Sequence, residues 1–244
     1  MTDEPGWEVV PIDLAAVRAR RSTSRRQLPE QVATYVRELI ISGSVRPGEH
    51  LRIDRIAAEV GVSNTPVREG LLALRSEGFV SQAPRRGFVV SEFTRQDVRD
   101  LFWVQARLAG ELSARAALRI TSDQLARLTS NVDQYRDAVD EDLIVDLGHA
   151  FHREINLASR SDRLALLLGG VVRQLPNTFY ATIEGHVTAT RADHPRILEA
   201  LRRRDPERAR RLMREHIARG ADRLIEELER RGAWRDAKAP GCLE

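Results

Sequence analysis

Ile53-Asp54-Arg55-Ile56-Ala57-Ala58-Glu59-Val60-Gly61-Val62-Ser63-Asn64-Thr65-Pro66-Val67-Arg68-Glu69 is the stretch that decides the fold of this chain. Ile53, Ile56, Ala57 and Val60 fall on one side of a short helix, which Gly61 ends. A second helix starts at Ser63, whose hydroxyl is placed to cap the free amides of the first turn. Leu71, Leu72, Leu74 and Phe79 continue its apolar face. Phe79-Val80-Ser81 and Phe88-Val89-Val90 then read as two short strands, joined by the basic tip Pro84-Arg85-Arg86-Gly87. Helix, turn, helix and hairpin in that order make a winged helix-turn-helix.

The reading extends upstream. Pro29 suits a first helical turn, and Val32, Tyr35, Val36, Leu39 and Ile40 follow at helical spacing. Gly43 stops that helix and Arg46-Pro47-Gly48 forms a turn. Residues 1–26 carry a weak helical pattern that ends in Arg20-Arg21-Ser22-Thr23-Ser24-Arg25-Arg26, and are expected to be a flexible arm.

Downstream, Thr94-Arg95-Gln96-Asp97 resembles a capping box and opens a long all-helical regime. Its helices carry Val98, Leu101, Phe102, Leu108 and Leu112; then Leu125, Leu128 and Val132; then roughly Leu143 to Ala158; then a run from Arg163 through Val172 that Pro176 disturbs. Asp193-His194-Pro195 is expected to open a fifth helix, and Asp205-Pro206 the last. Short connections imply antiparallel neighbours in a bundle. The expected fold class is therefore mostly α. Its domains are an arm (1–26), a winged helix-turn-helix (27–92), a helical bundle (93–230) and a C-terminal tail (231–244).

Composition narrows the classes. The chain has 244 residues, a formal net charge of +3 and 42% hydrophobic residues, which suits two soluble domains. No apolar run reaches the ~18–20 residues of a membrane span. The acidic first ten residues lack the pattern of a secretory signal, and the single cysteine, Cys242, excludes an internal disulfide. A cytoplasmic location is expected. Lys238 is the only lysine, so nearly all positive charge is arginine; a genomic preference for arginine explains this, and it is not an argument for DNA binding.

That argument comes from the second helix of the motif, whose N-terminal residues meet base edges in the major groove. Asn64 can pair bidentately with adenine, Thr65 can reach phosphate or a thymine methyl, and Arg68 can pair with guanine or phosphate. Ser63 belongs to the same row, Arg52 and Arg55 to the preceding helix, and Arg85 and Arg86 are placed to follow the backbone or enter the minor groove.

Several motifs together resemble the head of GntR-type bacterial transcription regulators. They are Pro47-Gly48-Glu49-x-Leu51, Ala57-x-x-Val60-Gly61-Val62-Ser63-x-Thr65-Pro66-Val67-Arg68-Glu69-x-Leu71, Glu77-Gly78-Phe79-Val80 and Arg86-Gly87-Phe88-x-Val90. The family usually has arginine in place of Asn64 and alanine in place of Gly70. The first change implies a shifted operator; the second implies a cost of about 1 kcal/mol in helix propensity.

The helical half resembles the FCD subgroup, through Phe151-His152-x-x-Ile155, His194-x-x-Ile197-Leu198-x-Ala200-Leu201 and Asp205-x-x-x-Ala209-x-x-x-Met213-x-x-His216-Ile217. The residues themselves point the same way: His152, His194 and His216 each border an apolar stripe, and three imidazoles from three helices can hold a divalent metal with positions left open. The resemblance implies a metal, zinc or similar, yet it usually places Asp or Asn where Gly148 stands. His149, a water or the effector could fill that gap, or the histidines could bind the effector directly. The resemblance also implies that Arg107 faces the pocket to clamp an effector carboxylate, the alternative being a surface arginine or one paired with Glu111. Arg173, Asn177 and Tyr180 are further effector-binding candidates.

The expectation is a homodimeric regulator, not an enzyme, more often a repressor in this family. It would bind a pseudo-palindromic operator, respond to a small organic acid and make no use of a membrane. The alternatives are a metal-dependent bundle enzyme fused to a DNA-binding head, and an effector-independent DNA-binding protein.

Overall fold

A computed structural model describes residues 28–83, 87–175, 186–230 and 234. The chain divides into two compact units, one running to Thr94 and resumed from Leu228, the other Arg95–Glu227.

The first unit is built on α1 (Leu28–Ile41), β1 (His50–Leu51), α2 (Ile53–Val60), α3 (Asn64–Ser76), β2 (Val80–Ala83) and β3 (Gly87–Val90). Gly61 ends α2 in the left-handed conformation (φ 75°), its N–H bonded to the Ala57 carbonyl, which sets the sharp turn into α3. Ser63 stands at the N-cap of α3 with extended backbone, but its hydroxyl makes no capping bond, contrary to the sequence expectation. The sheet has the antiparallel order β1-β3-β2, with Ser81 opposite Val89 and Leu51 opposite Phe88. Strand β1 is two residues long and has no period to read in the sequence. Val32 and Val36 from α1, Val67, Leu71 and Leu74 from α3, and Phe79 and Phe88 from the wing region fill the core.

Gly70 has a reason that propensity alone conceals. A Cβ at this position would stand 2.7 Å from the Pro29 carbonyl oxygen and 3.0 Å from Val32. The close approach of α1 to α3 therefore requires the glycine, and the expected simple propensity cost is corrected to a packing requirement. Arg37 fastens the same pair of helices: buried in α1, it donates to Glu77 Oε2 from Nε (3.1 Å) and Nη2 (2.5 Å) and lies over the Phe79 ring.

The second unit contains α4 (Arg95–Arg119), α5 (Ser122–Asp137), α6 (Glu141–Ala158), α7 (Asp162–Val172), α8 (His186–Arg202) and the larger part of α9 (Pro206–Arg230). Sequence punctuation explains most starts. Thr121 and Gln124 form a reciprocal capping box on α5, Asp140 accepts from the Leu143 amide at 2.8 Å, and Asp205 accepts from the Arg208 amide at 2.9 Å. Helix α8 is the exception. Asp193-His194-Pro195 does not open it; Pro195 lies inside a helix that starts at His186. Proline is tolerated there at the cost of one backbone bond, to the carbonyl four residues earlier.

Candidate functional site: a DNA-reading surface and a three-histidine cavity

In the first unit, Arg52, Arg55, Ser63, Asn64, Thr65 and Arg68 are all exposed, at the N-terminal ends of α2 and α3. Arg85 and Arg86 lie outside the described residues. Asn64 Nδ2 donates to Asp54 Oδ1 at 2.8 Å, a contact that joins the starts of the two helices. A carboxylate only accepts, so this bond fixes which end of the Asn64 amide faces Asp54. One amide hydrogen is thereby used, leaving Oδ1 and the second N–H.

In the second unit, α6, α8 and α9 bring His152, His194 and His216 together, with ligand nitrogens all within 4.8 Å of one another. Bonds of ~2.0–2.1 Å to one tetrahedral ion bring ligand nitrogens to about 3.4 Å of one another, so the three imidazoles would have to draw together to share an ion. Ring centroids are 5.4 Å apart for His152–His194, 5.3 Å for His152–His216 and 5.1 Å for His194–His216. His194 is 1% exposed and stacks on Phe151 with centroids 3.8 Å apart, so packing sets its ring plane.

His216 is oriented by a carboxylate. Its Nδ1 lies 3.2 Å from Asp193 Oδ2, which also accepts from Arg219. Burial opposes ionisation of Asp193, but the bonds from His216 and Arg219 outweigh it and hold the carboxyl below its usual range. An Asp193 carboxylate on Nδ1–H leaves Nε2 as the lone-pair nitrogen, the outer-shell arrangement that metal-binding histidines use. Convergent imidazoles, one of them fixed this way, fit a divalent ion held by three protein ligands. Asp193 was missed in the sequence because it reads there as a helix-capping residue beside Pro195.

The histidines form part of the wall of a cavity of about 280 Å³. Its lining includes Phe102, Gln105 and Ala109 of α4, Tyr135 of α5, Ile144, Gly148 and His149 of α6, Leu168 and Val172 of α7, and Met213 and Ile217 of α9. Burial pushes the Tyr135 phenol above its usual pKa, so it stays neutral. At Gly148 an added Cβ would meet only Tyr135, at 3.7 Å, so the place where related sites carry a carboxylate is open space.

The expected effector residues divide. His149 lines the cavity. Arg107 does not: it is exposed and its guanidinium lies 5.0 Å over the Trp103 ring, itself 60% exposed. Its expected place in the pocket is corrected, because it stands two residues from Gln105, roughly 200° round the helix. Glu111 pairs with Arg115 and Arg210 instead. Arg173 is exposed at the end of α7, with its guanidinium folded back against Gly169, a cavity residue. Asn177 and Tyr180 lie outside the described residues. Gln105, Arg153 and Asn156 line the cavity but were not singled out from the sequence. Gln105 had a signal, a polar residue within the inward stripe Phe102, Ala106, Ala109 and Leu112.

A winged helix-turn-helix followed by an all-helical unit with a histidine-lined cavity defines a class, DNA-binding regulators with a separate helical domain. Comparison with known proteins specifies it. Residues 28–90 match the bacterial regulatory proteins of the gntR family, and residues 100–219 match the FCD domain. The chain belongs to the GntR family of transcription regulators and carries an FCD domain.

The Exu regulon transcriptional regulator of Escherichia coli is 28% identical, over 80% of this chain and 83% of its own. The HTH-type transcriptional repressor RspR of Escherichia coli is 24% identical, over 77% of this chain and 85% of its own. The solved structure of E. coli McbR/YncC superposes with a TM-score of 0.62 at 25% identity, covering 84% of this chain and 99% of that one. These relatives are regulators, not enzymes. Among the described residues no helix is long and apolar enough to cross a membrane.

Proposed function

We propose that this protein is a ligand-responsive, cytoplasmic transcription regulator of a metabolic operon, in which a small organic acid bound in the helical domain alters operator binding. The convergence of His152, His194 and His216 on a cavity left open at Gly148 carries this reading. These three residues would hold a divalent metal such as zinc. When bound, the metal supplies positive charge and open coordination positions for an anionic ligand. The chain supplies the rest: Asp193 orients His216, Phe151 stacks on the His194 ring, and Phe102, Ile144, Leu168 and Ile217 give the cavity its apolar walls. The space beside Gly148 gives an incoming carboxylate room that an aspartate would occupy. His149 belongs to the same lining, and Arg173 stands beside Gly169 as a further cation for the effector.

In the DNA-binding unit, two heads of a homodimer would read the half-sites of a pseudo-palindromic operator. Ser63, Asn64, Thr65 and Arg68 would meet bases and phosphates, with Arg52 and Arg55 beside them on the backbone. Asn64, tethered by Asp54, retains one amide N–H and Oδ1, the pair that recognises adenine. A repressing role is supported by the naming of RspR as a repressor.

The test is metal content of the purified full-length protein beside His152→Ala. Near-stoichiometric metal in the first and loss in the second is expected. Equal content in both would remove the metal from the reading.

A further inference from the structure

Residues 91–94 lead from β3 to the start of α4, and within the first unit they are held from two sides. On one side is the end of α3. The Phe79 amide donates to the Leu74 carbonyl at 3.0 Å, closing the C-terminus of that helix. The Phe79 carbonyl accepts from the Ser91 amide at 2.9 Å, and the Phe93 ring lies against the Phe79 ring, centroids 5.2 Å apart and planes at 33°. Phe79 is itself buried under the Arg37 guanidinium, which pairs with Glu77 at the end of α3.

On the other side stands a residue from far along the chain. Trp234 Nε1 donates to the Phe93 carbonyl at 2.6 Å, from 141 positions away in sequence. An indole nitrogen only donates and a carbonyl only accepts, so the bond has one possible sense. Trp234 belongs to Leu228–Glu244, the segment that groups with the DNA-binding head and not with the helical bundle. Leu228, where the chain re-enters the first unit, is fully buried.

The bond bears on DNA through what adjoins residues 91–94. Val90 ends β3 opposite Val80 of β2; its amide donates to the Glu49 carbonyl and its carbonyl accepts from the Gly48 amide, each at 2.9 Å. A displacement of Phe93 therefore shifts the end of β3, and with it the wing, relative to α3. A segment fixed at one end samples many positions, and DNA binding must then restrict it at the expense of affinity. The indole bond fixes the second end beforehand.

We infer that Trp234 is a positioning residue for DNA binding. By holding the Phe93 carbonyl it sets the junction between α3 and the wing, so the DNA-binding head is complete only with the C-terminal segment of its own chain.

The experiment compares the full-length protein with Trp234→Phe, which keeps an aromatic ring and removes the N–H, and with a chain ended after Arg230. The DNA probe is the duplex that the unaltered protein enriches in binding-site selection, with affinity read by fluorescence anisotropy at one salt concentration. Trp234→Phe is expected to bind it about three- to tenfold more weakly, and the shortened chain at least as weakly. Hydrogen exchange of the free proteins separates positioning from general loss of stability. Exchange should quicken over residues 87–94 and stay unchanged over α1, whose Val32 and Val36 lie in the core of the head.

Trp234→Phe decides the matter even where the shortened chain fails to fold. Unchanged or tighter DNA binding by this variant would overturn the inference. So would weaker binding with exchange over residues 87–94 unaltered, or with faster exchange spread over α1 and α3.

Discussion

Position 64 shows how one side chain acquires a role from a neighbour. Asn64 is exposed, and in isolation its amide would sample both orientations; the 2.8 Å bond to Asp54 selects one. Replacing Asn64 with alanine should abolish discrimination at one operator base pair, about 1–3 kcal/mol, while Asp54→Ala should lose a smaller part of it at the same base pair. Binding-site selection on the two variants checks this. A loss spread evenly over all positions would mean that Asn64 contacts backbone only. Gly148 and Asp193 give the corresponding predictions in the cavity. Gly148→Asp places a carboxylate one helical turn before His152, where space exists, and should raise zinc affinity about tenfold or more in chelator competition. Asp193→Asn leaves the shape but weakens the hold on His216, and should lower zinc affinity about 10–100-fold. An unchanged zinc affinity in Asp193→Asn would show that packing alone fixes His216.

At the scale of elements, the α1–α3 contact is where local propensity and tertiary packing disagree. Alanine is the better helix former by about 1 kcal/mol, yet its methyl at position 70 meets a backbone carbonyl, and overpacking typically costs 1–3 kcal/mol. Gly70→Ala should therefore destabilise the protein by about 1 kcal/mol, read from a lower urea midpoint in full-length protein. Stabilisation would show that α1 withdraws without cost. The same tension sets what the sequence could disclose. Helices α1 to α3 were legible because their apolar residues recur cleanly and Gly61 punctuates them. The three histidines were legible because each interrupts an apolar stripe on a different helix. Helix α4 was harder. Its buried side carries Ala106, Ala109, Gly110, Ala114, Ala116 and Ala117, so small residues blur the period that tells inside from outside. That ambiguity put Arg107 in the expected pocket and passed over Gln105. The start of α8 was missed because a proline normally marks a beginning, and Pro195 sits mid-helix.

For the whole molecule, the claim is that occupancy of the second unit changes what the first unit does on DNA. A ligand achieves this only through different affinities for two arrangements of the protein, and such coupling typically amounts to 5–150-fold. Operator affinity of the full-length protein, measured by fluorescence anisotropy at one fixed salt concentration, tests it most directly, because phosphate contacts make any comparison across salt uninterpretable. With zinc and a saturating small organic acid, the operator dissociation constant of the unaltered protein should shift at least about fivefold. In His152→Ala the same addition should leave it unchanged. A shift of equal size in both proteins, or none in either, would contradict the account.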